Sequence, residues 1–381
     1  MLALNGTPLL ILLIFLALLL VGGTVWGWPR LSRQSVLTVF SRISLICVTQ
    51  FVVLSMVAVM VNDNFEFYTS WSDLMGTVQG GGTVAAQPAG DTTQSAEVIA
   101  IGKPGTQGLG GSDPAKVGQL RTVKIEGAVS GLSEEAVIYL PPQYFQAPYK
   151  TAQFPAVIAA SGYPGSASEV ATKFHLPNLL LADLQAKRTK PMVLIMVSPM
   201  IVNGRDTECT DVPGGPQAET FWAQDIPSAI ESAYRVSTQR SGWGIMGAST
   251  GGYCALKIAM MDSNQFSAGA TVSGYYAALE DHTTGDLYGD STSFRNENDL
   301  MWRAQNLPSP PVAVLLAAAK VGDPNYQPTL QFMATVKGRM QVSTLFAPEG
   351  GHNLTSWIAQ FPAVLDWLGL HLTGPLPTPS G

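Results

Sequence analysis

Two long apolar runs open the chain. Residues 8–26 carry no charge and are rich in Leu; residues 43–61 carry none and are rich in Val, Met and Leu. Each run has about 19 residues, enough to cross the ~30 Å hydrocarbon core of a bilayer as a helix. Beyond residue 120 the pattern shortens. Residues 121–126 and 136–140 read as an antiparallel pair of strands. Residues 156–161, 192–197, 242–246, 268–273, 312–318 and 342–346 are near-continuous apolar runs, the pattern of strands buried on both faces of a sheet. Helical candidates lie between several of them, at 177–186, 218–234, 251–261, 326–336 and 355–370. This alternation predicts an α/β fold: a mainly parallel sheet with helices on both faces. Sites in such sheets form at the C-terminal ends of the strands, so polar residues directly after strands carry the chemistry.

Composition sharpens the division. Of 381 residues, 21 are Lys or Arg and 27 are Asp or Glu, a charged fraction of 13%, where ordinary soluble domains carry roughly 25%. The mean hydropathy is +0.19. About 40 of the first 62 residues are apolar, and this front end accounts for the hydropathy. It does not account for the sparse charge, because residues 121–381 hold only 37 charged side chains. A net charge of −6 lacks the basic excess of a nucleic-acid binder, so no nucleic-acid partner is expected. The aliphatic content excludes disorder, and three cysteines exclude a disulfide-dense scaffold.

The front end, residues 1–62, reads as a retained hairpin of two transmembrane helices. A cleaved signal peptide would carry a basic n-region, and residues 1–7 have no Lys or Arg. Arg30, Arg33 and Arg42 fall between the two runs, which places the short loop in the cytoplasm. Trp26, Trp28, Tyr68 and Trp71 stand near the ends, as interfacial aromatics do. Both ends of the hairpin then face outward, and the rest of the chain is extracytoplasmic at a cell membrane. Residues 63–120 read as a juxtamembrane segment and a linker. From 78 to 120 it contains Gly80-Gly81-Gly82, Pro88, Pro104, Gly105, Gly108, Gly110 and Gly111, the composition of a flexible spacer. Gly108-x-Gly110 lacks the third Gly and the helix of a dinucleotide fingerprint. Residues 121–370 form the globular part, and 371–381 an extended tail.

Gly247-Ala248-Ser249-Thr250-Gly251 is the only G-x-S-x-G in the chain. An apolar strand runs into it and a helical stretch leaves it, the setting that a nucleophile elbow requires. Ser249 is therefore the candidate nucleophile. It needs a base, and the chain has four histidines. His175 precedes Ser249, His282 lies in a polar stretch and His371 ends the last helix. Only His352, on the loop after the last strand, fits the α/β-hydrolase order of Ser, acid, His. Asp323 is the first carboxylate after the preceding strand and the candidate acid, orienting the imidazole. Asp286 and Asp290 are the alternatives. The oxyanion hole needs two backbone donors. Thr250 follows the nucleophile. Tyr163 is the second candidate, because Pro164 beside it has no N–H to give.

These motifs resemble the putative-esterase family of α/β-hydrolases, which includes esterase D-type enzymes and the mycolyltransferases. The resemblance spans about residues 121–370. It rests on Ser161-Gly162-Tyr163, Glu219-Thr220-Phe221, Asp225-Ile226-Pro227, the elbow, and Gly350-Gly351-His352 with Trp357. More closely, the chain resembles a membrane-anchored actinobacterial esterase subgroup. That likeness lies in Tyr68-x-Ser70-Trp71-x-Asp73-Leu74, Asp206-Thr207-Glu208-Cys209-Thr210-Asp211 and Gly251-Gly252-Tyr253-Cys254-Ala255. The resemblance implies an α/β-hydrolase fold, an acyl-ester substrate of lipid or cell-wall origin, and no cofactor or metal. Asp323 stands where mycolyltransferases use Glu, and Pro164 where they carry Arg, so hydrolysis is the safer carry-over than transfer to trehalose.

Cys209 and Cys254 fall in the outward-facing part, where an oxidising compartment favours a bridge; two buried free thiols are the alternative. The loop 203–216 also holds Asp206, Glu208 and Asp211. Their spacing lacks the twelve-residue EF-hand pattern, and they read as a solvated or Arg205-paired cluster. This loop and residues 275–306, with Tyr275, Tyr276, Tyr288, Phe294 and Trp302, would cap the pocket. The reading is a membrane-anchored serine esterase working through a Ser-Asp-His triad and an acyl-enzyme. An acyltransferase moving the acyl group to a sugar or lipid alcohol is the variant. A non-catalytic envelope scaffold with a hydrolase fold is the alternative from another class, and a peptidase of the same fold a third.

Overall fold

Nine strands form one sheet in the computed structural model, which describes residues 7–31, 35–65, 96–202 and 204–375. The strands are β1 (Glu97–Ala100), β2 (Gln119–Glu126), β3 (Ser133–Leu140), β4 (Ala156–Ala160), β5 (Val193–Val197), β6 (Trp243–Ala248), β7 (Ala268–Val272), β8 (Ala313–Ala319) and β9 (Gln341–Ala347). Their order is β1-β2-β3-β5-β4-β6-β7-β8-β9. The first three pairings, β1 with β2, β2 with β3 and β3 with β5, are antiparallel; every later one is parallel. Strands β4 to β7 are buried along their whole length, which is why their sequences read as unbroken apolar runs. From β4 the chain steps outward to β5, then returns past β4 to β6. That reversal opens a crevice at the C-terminal ends of β4 and β6, where Ala160 lies opposite Gly247.

Helices cover both faces. On one, Thr250–Met261 and the stretch from Ala218 to Ala233 pack with Trp222, Tyr253, Phe266 and Phe332. On the other, Leu176–Gln185 and Leu354–His371 pack with Phe174, Leu180, Phe361 and Leu365. The stretch 218–234 is not one uniform helix. Ala218–Thr220 and Ile226–Ala233 flank a π-helical turn, Phe221–Asp225. Pro227 lies in the first turn of the last piece, where its missing N–H costs nothing. Asp225, at the end of the π turn, accepts hydrogen bonds from Val129 N (2.9 Å), Ser130 N (2.9 Å) and Ser130 Oγ (2.6 Å). One buried carboxylate thus holds the turn between β2 and β3.

The expected spacer is ordered from residue 96 onward. β1 pairs with β2, Ile99 opposite Lys124, and a short helix, Pro114–Val117, is capped by Asp113. Pairing with a neighbouring strand supplies order that Gly- and Pro-rich composition conceals. Residues 66–95, with Tyr68, Ser70, Trp71, Asp73, Leu74 and the Gly80–Gly82 run, lie outside the described residues, as do Arg33, Asn203 and 376–381.

Met1–Thr83 and Val84–Gly381 are separate compact units. The first contains helices Thr7–Gly27 and Val36–Phe65. Within them Pro8–Gly27 and Val36–Val61, with mean hydropathies of 2.8 and 2.4, are long and apolar enough to cross a membrane. The second helix starts earlier than its apolar run, so Arg42 lies inside it rather than in the loop. Its guanidinium donates to the Leu31 carbonyl and lies 5.5 Å from the Trp28 ring centre, while Arg30 covers Trp26 at 4.1 Å.

Asp225→Ala leaves the Val129 and Ser130 amides without their acceptor. We expect a loss of about 2–3 kcal/mol, read as a fall of roughly 4–10 °C in the melting temperature. Asp225→Asn, which keeps one acceptor oxygen, should lose less.

Candidate active site

Ser249 sits at the end of β6 with φ 55° and ψ −122°, a backbone region that a non-glycine residue occupies only when its surroundings force it. The crowding is visible at its neighbours. A Cβ on Gly247 would run into the Gly251 carbonyl, and one on Gly251 into the Ser161 carbonyl. The turn can close this tightly only because both are glycine. Ser249 N donates to Val272 O (3.0 Å) and Tyr253 N to Ser249 O (3.0 Å), so the turn is tied to β7 and to the helix that follows.

The Ser249 Oγ lies 2.8 Å from His352 Nε2. His352 comes from the loop after β9. The Ser356 hydroxyl accepts from Gly351 N (2.8 Å), Asn353 Oδ1 caps the following helix at Ser356 N (3.1 Å), and Trp357 meets the imidazole edge-on at 5.1 Å. Burial pulls the imidazole below its usual value and the Asp323 charge pulls it back up. The ring is therefore neutral at pH 7. With Nδ1 protonated, Nε2 can accept the Ser249 proton.

Asp323 follows β8 and is 7% exposed. Its carboxylate accepts from Ser273 Oγ (2.6 Å), Asn325 N (3.0 Å) and Ala319 N (3.4 Å). His352 Nδ1 has no hydrogen-bond partner among the described residues, so the structure brings Asp323 within electrostatic reach of the imidazole without bonding to it. The two loops are pressed together: Gly322 has φ +91° and no room for a Cβ against the Gly350 carbonyl, and Gly350 N donates to Val321 O (3.0 Å). Asp286 and Asp290 are exposed on the cap segment. Asp286 Oδ1 accepts from Tyr288 N and Gly289 N (2.9 Å each). His175 and His282 are exposed, and His371 stacks on Trp367.

Both oxyanion candidates border the serine. Thr250 opens the helix Thr250–Met261, where first-turn amides have no intrahelical acceptor. Tyr163 follows Gly162, whose added Cβ would lie 3.0 Å from Ser249 Cβ. Burial, Asp206 and Asp281 all push the Tyr163 phenol up, which puts those carboxylates beside the same loop.

The acidic loop departs from its sequence reading. Asp206 and Glu208 are buried rather than solvated. Arg205 does not pair with them; it donates to the carbonyls of Thr284 and Asp286 (2.8 Å each). Asp211 binds Thr220 N (2.9 Å) and Thr220 Oγ1 (2.6 Å). Cys209 and Cys254 form a disulfide, with Cα atoms 5.7 Å apart, tying this loop to the helix after Ser249. Lys257, wholly buried on that helix, reinforces the tie by donating to Cys209 O (2.8 Å) and Thr210 Oγ1 (2.9 Å), with Glu219 3.5 Å away. The cap aromatics turn inward. Tyr276 stacks on Phe332 at 4.6 Å, and Tyr288 and Phe294 pack with Val212 and Leu287. Sequence reasoning passed over Ser273 and Lys257. Ser273 carried a signal, as a polar residue directly after a buried strand; Lys257 carried none.

A mainly parallel sheet with helices on both faces, and a serine on a strand-to-helix elbow against a histidine from the loop after the last strand, define the α/β-hydrolase class. A family profile described as "Putative esterase" matches residues 133–368, and the chain belongs to that family. An uncharacterized protein of Corynebacterium glutamicum is 24% identical over 272 residues, which are 67% of this chain and 63% of that relative's length. Among solved structures the chain is similar to a ferulic acid esterase (TM-score 0.56, 18% identity, 67% of this chain and 98% of that one). It is also similar to an S-formylglutathione hydrolase from Agrobacterium tumefaciens (0.55, 15%, 67% and 96%). A third is the fluorophosphonate-binding serine hydrolase F of Staphylococcus aureus (0.53, 14%, 66% and 98%). At these identities the likeness establishes the fold.

The bridge makes a countable prediction. Alkylation of the denatured, non-reduced chain should modify Cys47 alone, and reduction should expose all 3 cysteines. Replacing both Cys209 and Cys254 by Ser should cost about 2–4 kcal/mol in thermal or denaturant unfolding.

Proposed function

We propose that the chain is a membrane-anchored serine esterase that hydrolyses acyl esters outside the cytoplasm. The observation that carries the chemistry is the 2.8 Å contact between Ser249 Oγ and His352 Nε2 at the strand ends where such folds place their sites. Ser249 Oγ attacks the ester carbonyl as His352 Nε2 takes its proton. The amides of Thr250 and Tyr163 receive the developing oxyanion. His352 then returns the proton to the departing alcohol, leaving an acyl-enzyme that water hydrolyses by the same route. Asp323 is the acid of the triad. Its charge lies within electrostatic reach of the imidazole and stabilises the imidazolium that forms when His352 takes the proton.

The anchor reading rests on the two helices of spanning length and on the arginines beside their junction. The Cys209–Cys254 bridge supports an oxidising compartment for the globular unit.

A fluorophosphonate probe should label the full chain in detergent at Ser249, and short p-nitrophenyl esters should turn over. Ser249→Ala should abolish labelling and lower kcat/KM by about 10⁴-fold or more. A well-folded wild type that neither labels nor turns over would support the scaffold reading instead. Added alcohol that diverts the acyl group from water would make the enzyme a transferase. The base must be neutral to act, so kcat/KM should rise with pH through an apparent midpoint below about 6.5. A midpoint above that value would contradict the environment of His352.

Alkaline carbonate should leave the chain in the membrane pellet, and protease added to spheroplasts should digest the globular unit. An intact mass lacking the first helix would instead identify that helix as a removed leader.

A further inference from the structure

A buried hydrogen-bonded chain ends on the residue that follows the nucleophile. The Tyr275 hydroxyl lies 3.0 Å from Thr250 Oγ1, and 2.7 and 2.8 Å from the two carboxyl oxygens of Glu208. Tyr275 has one proton to give, so one of its neighbours donates in return. Leu279 N donates to the Glu208 carboxyl as well (3.1 Å). The Tyr275 ring stacks on Tyr253, three residues past Thr250 on the same helix, with centres 5.2 Å apart. Glu208 is 1% exposed, and its backbone is held on both sides. Asp206 Oδ1 accepts from its amide (2.9 Å), Lys257 binds the Cys209 carbonyl, and Cys209 is bridged to Cys254.

Burying a carboxyl group is costly, and an apolar side chain would pack this loop more cheaply. The Lys257 ammonium is spent on the loop's main chain, on Thr210 and on Glu219, and makes no hydrogen bond to the Glu208 carboxyl. What the carboxyl does hold is Tyr275, and through it Thr250.

We propose that Glu208 and Tyr275 are positioning residues for the oxyanion hole: they fix Thr250 through its hydroxyl, so that its amide stands where the oxyanion forms. This rests on the reading of Thr250 as an oxyanion donor. The groups facing Glu208 are Asp206 on its own loop, Lys257 and Tyr253 on the elbow helix, and Tyr275 and Tyr288 on the cap segment. Burial and then Asp206 push its carboxyl up to about 8, against the bonds from Tyr275 and Leu279 and the Lys257 charge. At pH 7 it is mostly neutral. Ionised, it would set a negative charge one hydrogen-bonded link from Thr250, opposing the oxyanion. Turnover therefore falls as pH rises through about 8.

The test uses the full chain in detergent with p-nitrophenyl butyrate and a fluorophosphonate. Tyr275→Phe removes one oxygen and keeps the ring stack. It should lower kcat about tenfold with KM changed less than about twofold, and slow phosphonylation of Ser249 in parallel. Glu208→Ala should do the same. Glu208→Gln, which keeps the shape and the bonding, should recover most of that loss near pH 7 and remove the alkaline fall. An intact Cys209–Cys254 bridge and a single cooperative melting transition well above the assay temperature establish that Tyr275→Phe folds. Unchanged kcat in that variant overturns the proposal, and so does a Glu208→Gln enzyme as slow as Glu208→Ala. A wild type that fails to label at Ser249 overturns the esterase reading and this proposal with it. A labelled wild type with an unaffected Tyr275→Phe overturns this proposal alone.

Discussion

The backbone crossing at Ser249 is the tightest constraint in the globular unit, and the rest of the site is arranged around it. A residue held at φ 55° costs of order 1–3 kcal/mol, so something must prevent the turn from relaxing. The preventing structure is on both sides. β6 is paired along its length with β4 and β7. Eleven of the twelve residues of Thr250–Met261 are buried. Neither element can shift without opening a core, where a cavity costs more than the strain. The same crowding couples Ser249 to its surroundings. Gly251 touches the Ser161 carbonyl, and Gly162 touches Ser249 itself. The loop after β4 and the elbow after β6 are thus one packed object, and the Tyr163 amide cannot be displaced independently of Ser249.

The histidine side is built by the same device from other strands. Gly322 and Gly350 meet backbone to backbone, so the loops after β8 and β9 are also joined. Asp323 is pinned from β7 by Ser273 and from its own loop by Asn325. Five successive parallel strands, β4 and β6 to β9, therefore each contribute a loop end to one small volume. The contact between Ser249 and His352 spans 103 positions of sequence, yet no long flexible side chain is needed to make it. Rigid elements placed by sheet register hold it instead.

What was legible in the sequence follows from burial. Strands covered on both faces must be apolar at nearly every position, so β4 to β8 could be read directly from their residues. β1 could not: Glu97–Ala100 is a partly exposed edge strand, whose existence depends on β2 more than on its own side chains. The π turn at Phe221–Asp225 leaves no periodic trace, because one extra residue in a helix shifts the pattern without ending it. Ser249 and His352, which the structure brings into contact, are legible because chain order and strand ends suffice to locate them; the proposed role of Asp323 rests on the same chain order. Glu208 reads from sequence as a solvated acid, the usual state of such a residue, whereas the structure buries it. Its partner Tyr275 lies 67 positions away, a contact that no local pattern encodes. The same loop misled again at Arg205, whose partners turned out to be carbonyls.

The sparse charge of the globular unit acquires a physical consequence at this site. With few cations available, Asp206 and Glu208, on the loop bridged to the elbow helix, are not neutralised by guanidinium pairs. On that loop Asp206 is pushed up to about 6 and Glu208 to about 8, in each case chiefly by burial. Near neutral pH, Glu208 is therefore mostly protonated, while Asp206 keeps most of its charge. The formal charge of Glu208 consequently overstates the negative potential that it brings to Thr250, beside Ser249. That matters for a reaction whose transition state puts negative charge on an oxygen. Acids kept in ion pairs would respond to salt. Acids kept neutral by burial respond to pH instead, because their charge appears only when a proton leaves. Low charge content and a buried acid beside the proposed oxyanion hole are thus two aspects of one electrostatic arrangement, in which protonation of Glu208 rather than pairing keeps the site ready for an anion.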